Sequence, residues 1–260
     1  MSDSNPPSPE ATEQPVKAGC VVKAFIIALP LGLAFMVPLS LWIYYQKKYA
    51  PQEAASHLAP MLQRELNAVD MDRYVQGFVQ GIGDRSLANP DGLNAAGNYV
   101  ESTMGFANMG YNIQRQEFEA GGQTVANLLA ELPGKKAKKD TVLVLADYDA
   151  ADASGIASMM SVAHAMVGTN HNRTIHFAAV AQGDAAEAKA NGMEVLAQKF
   201  AETGITVAKV VLFRPPLKST PAAWQDAEFI PLAVELKDLT PTALDMLQRL
   251  KKAVENAADK

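Results

Sequence analysis

Residues 141–150 read TVLVLADYDA and residues 174–184 read TIHFAAVAQGD. In the first, an unbroken apolar run, Val142 to Ala146, stops at a turn bearing acids. A half-exposed strand alternates apolar and polar residues, so this run predicts a strand covered on both faces, and Thr174 to Ala181 predicts another strand. Between them Ser154 to Val167 is rich in Ala and Met and predicts a helix. Beyond them Ala185 to Thr203 predicts a second helix and Val207 to Phe213 a third strand. Strands alternating with helices imply an α/β fold, a largely parallel sheet sandwiched by helices.

Upstream, Tyr111 to Phe118 and Thr124 to Leu132 read as paired antiparallel strands joined through Gly121 and Gly122, which can take the positive φ of a hairpin turn. Pro133 to Asp140 (PGKKAKKD) reads as a basic, solvated loop carrying Lys135, Lys136, Lys138 and Lys139. Apolar residues at three and four spacings predict helices over Gln52 to Gly81 and Asp91 to Met109. Downstream, a loop with Pro215, Pro216 and Pro221 precedes a short strand, Phe229 to Leu236. A closing helix follows, Pro241 to Ala258, with Thr240 suited to the N-cap and Pro241 to the first turn.

The amino-terminal part differs in kind. Residues 1–16 are polar and punctuated by proline, a composition that buries too little apolar surface to fold. From Ala24 to Tyr45 the chain runs 22 residues without a charge, AFIIALPLGLAFMVPLSLWIYY, enough to cross a hydrocarbon core as one helix. Lys23 flanks it on one side and Lys47 and Lys48 on the other, while Trp42, Tyr44 and Tyr45 suit the headgroup layer. A cleaved signal peptide has a shorter apolar core and a small-residue cleavage site, so an uncleaved anchor is expected. The expected division is a disordered tail at 1–19, a transmembrane anchor at 20–46, a helical stalk and first domain helix at 47–81, and an α/β domain at 82–260. The lipid bilayer is thus an expected partner.

Over the 260 residues, 23 basic and 28 acidic side chains give a net charge of −5, which argues against a dedicated nucleic-acid binder. A single cysteine, Cys20, can form neither an internal disulfide nor a thiolate zinc site. The four histidines, His57, His164, His171 and His176, are scattered over the predicted stalk, a helix, a turn and a strand. Asn172-Arg173-Thr174 fits a glycosylation pattern that is common by chance.

Several stretches in order resemble the M28 family of zinc aminopeptidases: IGDRSLANPDGLNAAGNYVESTMGFANMGYNIQRQEFE, TVANLLAELPGK, TVLVLADYDA, ADASGIASMMSVAHAM and RTIHFAAVAQGD, from Ile82 to Asp184, with LTPTALDMLQRLKKAVENAA as a closing helix. The resemblance implies a three-layer α/β/α sandwich on a mixed, mostly parallel sheet. In active members it implies two zinc ions at the strand ends. It also implies an extracytoplasmic domain, which places the amino terminus in the cytoplasm where the flanking lysines alone leave a tie.

The family's chemistry is missing where the motifs can be compared. Asp147-Tyr148-Asp149 stands where active members have a His-Tyr-Asp type motif. Aligning on Ala153-Ser154-Gly155 puts Ala150 and Ala151 in place of two acids, one of which bridges the metals, and leaves Asp152. Gly183 and Asp184 stand for a Glu-Glu pair whose first member is the general base. Arg214 lies near the expected position of a later acidic ligand, where it would repel a cation, and Glu235-Leu236-Lys237-Asp238 lacks the final histidine. No catalytic residue is therefore expected. Asp147, Asp149, Asp152 and Asp184 remain weak metal candidates, better suited to calcium or magnesium than to zinc because carboxylates alone are hard ligands. The expected function is a membrane-anchored, catalytically inactive scaffold, interaction module or complex subunit without a cofactor. Its partners would be other membrane or extracytoplasmic proteins. The alternative is a residual metal-dependent aminopeptidase or hydrolase, with zinc or another ion in an atypical carboxylate site.

Overall fold

A computed structural model describes residues 36–43, 62–135, 137–214, 219–232 and 241–259. The chain divides into two compact units, Met1–Glu53 and Ala54–Lys260. In the first, residues 36–43 are helical, and Met36, Val37, Leu39, Leu41, Trp42 and Ile43 are all exposed. The rest of the expected anchor, including Lys23, Tyr44, Tyr45, Lys47 and Lys48, lies outside the described residues, as do Cys20, His57 and residues 235–238. Among the described residues no helix is long and apolar enough to cross a membrane.

The second unit opens with helix α1 (Ala68–Gln76), whose first turn is capped by the Asn67 side chain accepting from Asp70 N at 2.7 Å. It runs into a π-helical turn, Gly77–Ile82, and then helix α2, Pro90–Met104. Strands β1 (Ile113–Ala120) and β2 (Gln123–Leu132) form the expected hairpin, with Gly121 and Gly122 at φ 60° and 77°. Strand β3 (Ala137–Asp147), helix α3 (Ser154–Met166), strand β4 (Arg173–Val180), helix α4 (Gly192–Thr203), strand β5 (Thr206–Leu212), strand β6 (Glu228–Pro231) and helix α5 (Pro241–Asp259) complete it.

The six strands form one mixed sheet in the order β1-β2-β4-β3-β5-β6. β3 runs parallel to both β4 and β5, β6 runs parallel to β5, and β2 is antiparallel to β1 and β4. Alternate residues of β3 enter two separate cores. Val142, Val144 and Ala146 pack with Phe78, Val100, Ile156 and Leu250, beneath the layer of α1, α2, α3 and α5. Leu143 and Leu145 pack with Met193, Leu196 and Phe200 of α4 and with Trp224. Two apolar faces on one strand explain the unbroken run in the sequence and make the architecture three layers.

Several boundaries differ from expectation: within the helix expected over Gln52 to Gly81, residues 63–67 are not helical and α1 starts at Ala68, and β6 ends at Pro231 instead of Leu236. β3 starts at Ala137, inside the lysine-rich stretch expected as a loop, because Ala137 pairs with Arg173 and Asp140 with Thr206 through the backbone ladder. α2 ends at Met104 instead of Met109, where Gly105 N closes back on Glu101 O. α4 starts at Gly192 instead of Ala185, fixed by Asn191, whose side chain accepts from Met193 N and Glu194 N.

The first and last described residues of this unit fasten onto neighbouring parts of the α3–β4 connection. Gln63 donates to Ala165 O at 3.1 Å, and His164 Nε2 lies 3.0 Å from Leu62 O. At the other end Asn172 donates to Asp259 through its main-chain N (3.2 Å) and side chain (2.8 Å), and Arg173 donates to Ala257 O at 3.2 Å.

Candidate functional site

The parallel strands β4, β3 and β5 end on one edge of the sheet. The chain leaves β3 through α3 on one face and leaves β4 through α4 on the other, so the crevice beyond these ends is a topological switch point. It receives Asp147 from the end of β3, the turn Gln182-Gly183-Asp184 after β4, and Arg214 after β5.

Arg214 is the centre of this site. Its side chain is 3% exposed, and it donates from Nη1 to Asp147 Oδ1 at 2.7 Å and from Nη2 to Asp184 Oδ1 at 2.6 Å. Asp147 is itself nearly buried, at 12%, whereas Asp184 is 41% exposed. Burial pushes the Asp147 carboxyl up to about 7, against the opposite pull of the Arg214 guanidinium. Gly183 leaves the room this pair needs: a Cβ there would stand 2.3 Å from Arg214 Nη1 and 2.7 Å from Asp147 Oδ1.

The other two acids turn elsewhere. Asp149 Oδ2 accepts from Gln182 N at 2.8 Å and from Gln182 Nε2 at 2.6 Å, and burial raises its pKa against those two bonds. Asp152 accepts from Ser154 N at 2.9 Å and so serves the start of α3. That start lies close under β5, since a Cβ on Gly155 would stand 2.0 Å from Phe213 O.

Arg85, to which the sequence gives no role, holds the loop between Asp147 and Asp152 from beneath. It is buried and spends all five N–H donors on carbonyls: Nε on Tyr148 (3.2 Å), Nη1 on Phe78 and Gly83 (2.7 Å each), Nη2 on Ala150 (2.5 Å) and Ala151 (3.1 Å). Ala150 and Ala151 thus contribute carbonyl oxygens, already engaged, where the resemblance sets metal-binding acids. Tyr148 points away from the crevice and donates to Ala126 O at 2.8 Å.

The described histidines serve other places. His164 Nδ1 lies 3.3 Å from the Tyr74 hydroxyl and its Nε2 faces Leu62 O, so Nε2 carries the proton and Nδ1 accepts. His171 lies between Thr169 Oγ1 (2.9 Å) and Asp259 Oδ1 (3.3 Å). His176 stacks on Phe200 with ring centroids 5.1 Å apart. The Asn172 amide is tied to Asp259, and Thr174 is buried in β4, so the glycosylation pattern falls within packed structure.

Among the described residues no group of three or more His, Cys, Asp or Glu is placed to hold a metal ion. Of the four metal candidates, the structure joins Asp147 and Asp184 through Arg214 and gives Asp149 and Asp152 to separate backbone partners. A zinc pair does not fit this donor set. It would need several free nitrogen, sulfur or carboxylate ligands with one carboxylate bridging, and among the described residues a guanidinium stands between Asp147 and Asp184.

No protein-family model and no curated protein sequence matches the chain. Several solved structures are similar to it in fold. LapA of Legionella pneumophila is 21% identical with a TM-score of 0.47, over 62% of this chain and 46% of that one. A glutaminyl cyclase of Fimbriiglobus ruber is 22% identical with a TM-score of 0.45, over 58% of this chain and 62% of that one. A Zn-dependent exopeptidase of Parabacteroides distasonis is 17% identical with a TM-score of 0.45, over 57% of this chain and 61% of that one. The matched region thus spans about half of the first of these proteins and about three fifths of the other two.

Proposed function

We propose that this protein is a membrane-anchored, catalytically inactive M28-like domain that serves as a scaffold, an interaction module or an accessory subunit of a membrane complex. The observation that carries the reading is Arg214, a buried cation set between Asp147 and Asp184. Metal-assisted hydrolysis needs an ion with an open coordination position and a base to deprotonate its water. Here the carboxylates at the strand ends are already bonded, and the residue at the position of the base is Gly183. The buried cores on both sheet faces keep the fold intact without that chemistry. The anchor reading rests on the uncharged run from Ala24 to Tyr45 and on the exposed apolar residues of 36–43. The resemblance, and not the anchor, puts the amino terminus in the cytoplasm and the α/β domain outside it.

Elemental analysis of the full chain purified in mild detergent, with an assay on aminoacyl and peptide substrates, tests the catalytic part. No stoichiometric metal and no turnover are expected. A bound metal accompanied by turnover that chelators abolish overturns the reading.

A further inference from the structure

Arg214 does more than cancel charge, and the following point rests on the reading above. Its guanidinium reaches both Asp147 and Asp184 with separate nitrogens, while its Nε is buried without a partner among the described residues. The two carboxyl groups set its position. The chain also leaves space for it, because any residue larger than glycine at 183 would drive its Cβ into Nη1. The three contributors come from three strand ends, so the guanidinium sits where carboxylates of different elements converge.

We infer that Arg214 is the resident cation of the crevice, occupying the position between Asp147 and Asp184 that a divalent ion would otherwise take, and thereby keeping the domain metal-free. Without it, two converging carboxylates and no imidazole make an all-oxygen site, the chemistry of a hard cation such as Mn2+, Mg2+ or Ca2+. Asp149, bonded twice by Gln182, is not needed for this.

Mn2+ titration of the full chain in detergent, read by electron paramagnetic resonance, tests the inference. The natural protein is expected to bind no Mn2+ at millimolar concentration. Arg214→Met is expected to bind one ion per chain at least tenfold more tightly, Arg214→Lys to stay refractory because it keeps the charge, and Arg214→Met combined with Asp184→Asn to lose the gain. If Arg214→Met folds only when Mn2+ is present, the ion has taken over the role of the guanidinium and the inference stands. If it binds no better than the natural protein, or fails to fold with and without Mn2+, the inference falls. Stoichiometric metal in the natural protein would instead overturn the functional reading itself.

Discussion

Asp149 accepts twice from Gln182, once from its main-chain N at 2.8 Å and once from its side chain at 2.6 Å. Gln182 has φ 53°, the one described residue other than glycine with a positive value. The carboxylate therefore holds the turn after β4 in a conformation that an L-residue resists by about 1–2 kcal/mol.

Asp149→Ala removes both bonds and leaves a buried N–H without its acceptor, an expected cost of about 1–3 kcal/mol. Gln182→Gly forfeits one bond but relieves the backbone, so it should be the milder change, and Gln182→Val, β-branched at positive φ, the harsher one. Urea unfolding of the three variants gives the order; a Gln182→Gly protein less stable than Gln182→Val contradicts it.

Arg85 should be intolerant of replacement. Arg85→Ala leaves five carbonyls short of a donor, those of the buried Phe78 and Tyr148 among them, and Arg85→Lys supplies a compact ammonium that cannot match the fork. Both should lower stability by about 3 kcal/mol or more. Hydrogen exchange should show the loss first in residues 148–155. Near-natural stability of Arg85→Lys would mean that the fork geometry is unimportant.

Two buried groups should make the pH dependence of stability a difference of opposing slopes. His176 is pushed down to about 4 from 6.5 by burial, so the unfolded chain binds a proton first and stability is lost as pH falls between those values. Burial raises Asp147 from 3.8 to about 7 against the pull of Arg214, so the pair with Arg214 is fully ionic only above that value; below it the folded chain keeps a proton that the unfolded chain has released, and stability falls as pH rises across that window. Asp147→Asn should unmask the rising slope and His176→Phe the falling one, each by on the order of 1 kcal/mol per pH unit. Denaturation midpoints from pH 4 to 7 check both signs.

Asp259→Ala removes the acceptor shared by His171 and Asn172. The last turn of α5 should then exchange amide hydrogens about tenfold faster, the response to about 1.4 kcal/mol of lost local stability, while β3 remains protected. Equal acceleration in β3 would show that the contact supports the whole domain.

The central strands were legible because burial on both faces leaves an unbroken apolar run, as in Val142 to Ala146. The start of β3 was not, since Ala137 to Asp140 joins through backbone pairing that places no demand on side-chain polarity. Nor was the end of α2: Phe106 and Met109 continue the helical spacing although one is exposed and the other is buried in a turn. At the crevice the four acids could be picked out, and so could the glycine beside them. Arg214 read only as a charge that repels cations. Its actual place depends on partners 67 and 30 residues away, and no local pattern encodes a contact of that separation. Arg85 left no signal, because a side chain that binds carbonyls has partners of any residue type.

The first and last described residues of the α/β unit are both clasped by residues 164–173, Leu62 and Gln63 at one edge of that stretch and Ala257 and Asp259 at the other. Tension applied between residues 62 and 259 would load this short clasp in series and leave the six-stranded sheet outside the force path until it gives way. The same closeness means that residues 62 and 259 can be joined by a brief linker and the chain reopened at Gly121-Gly122, a permuted order that asks no strand to find a new neighbour.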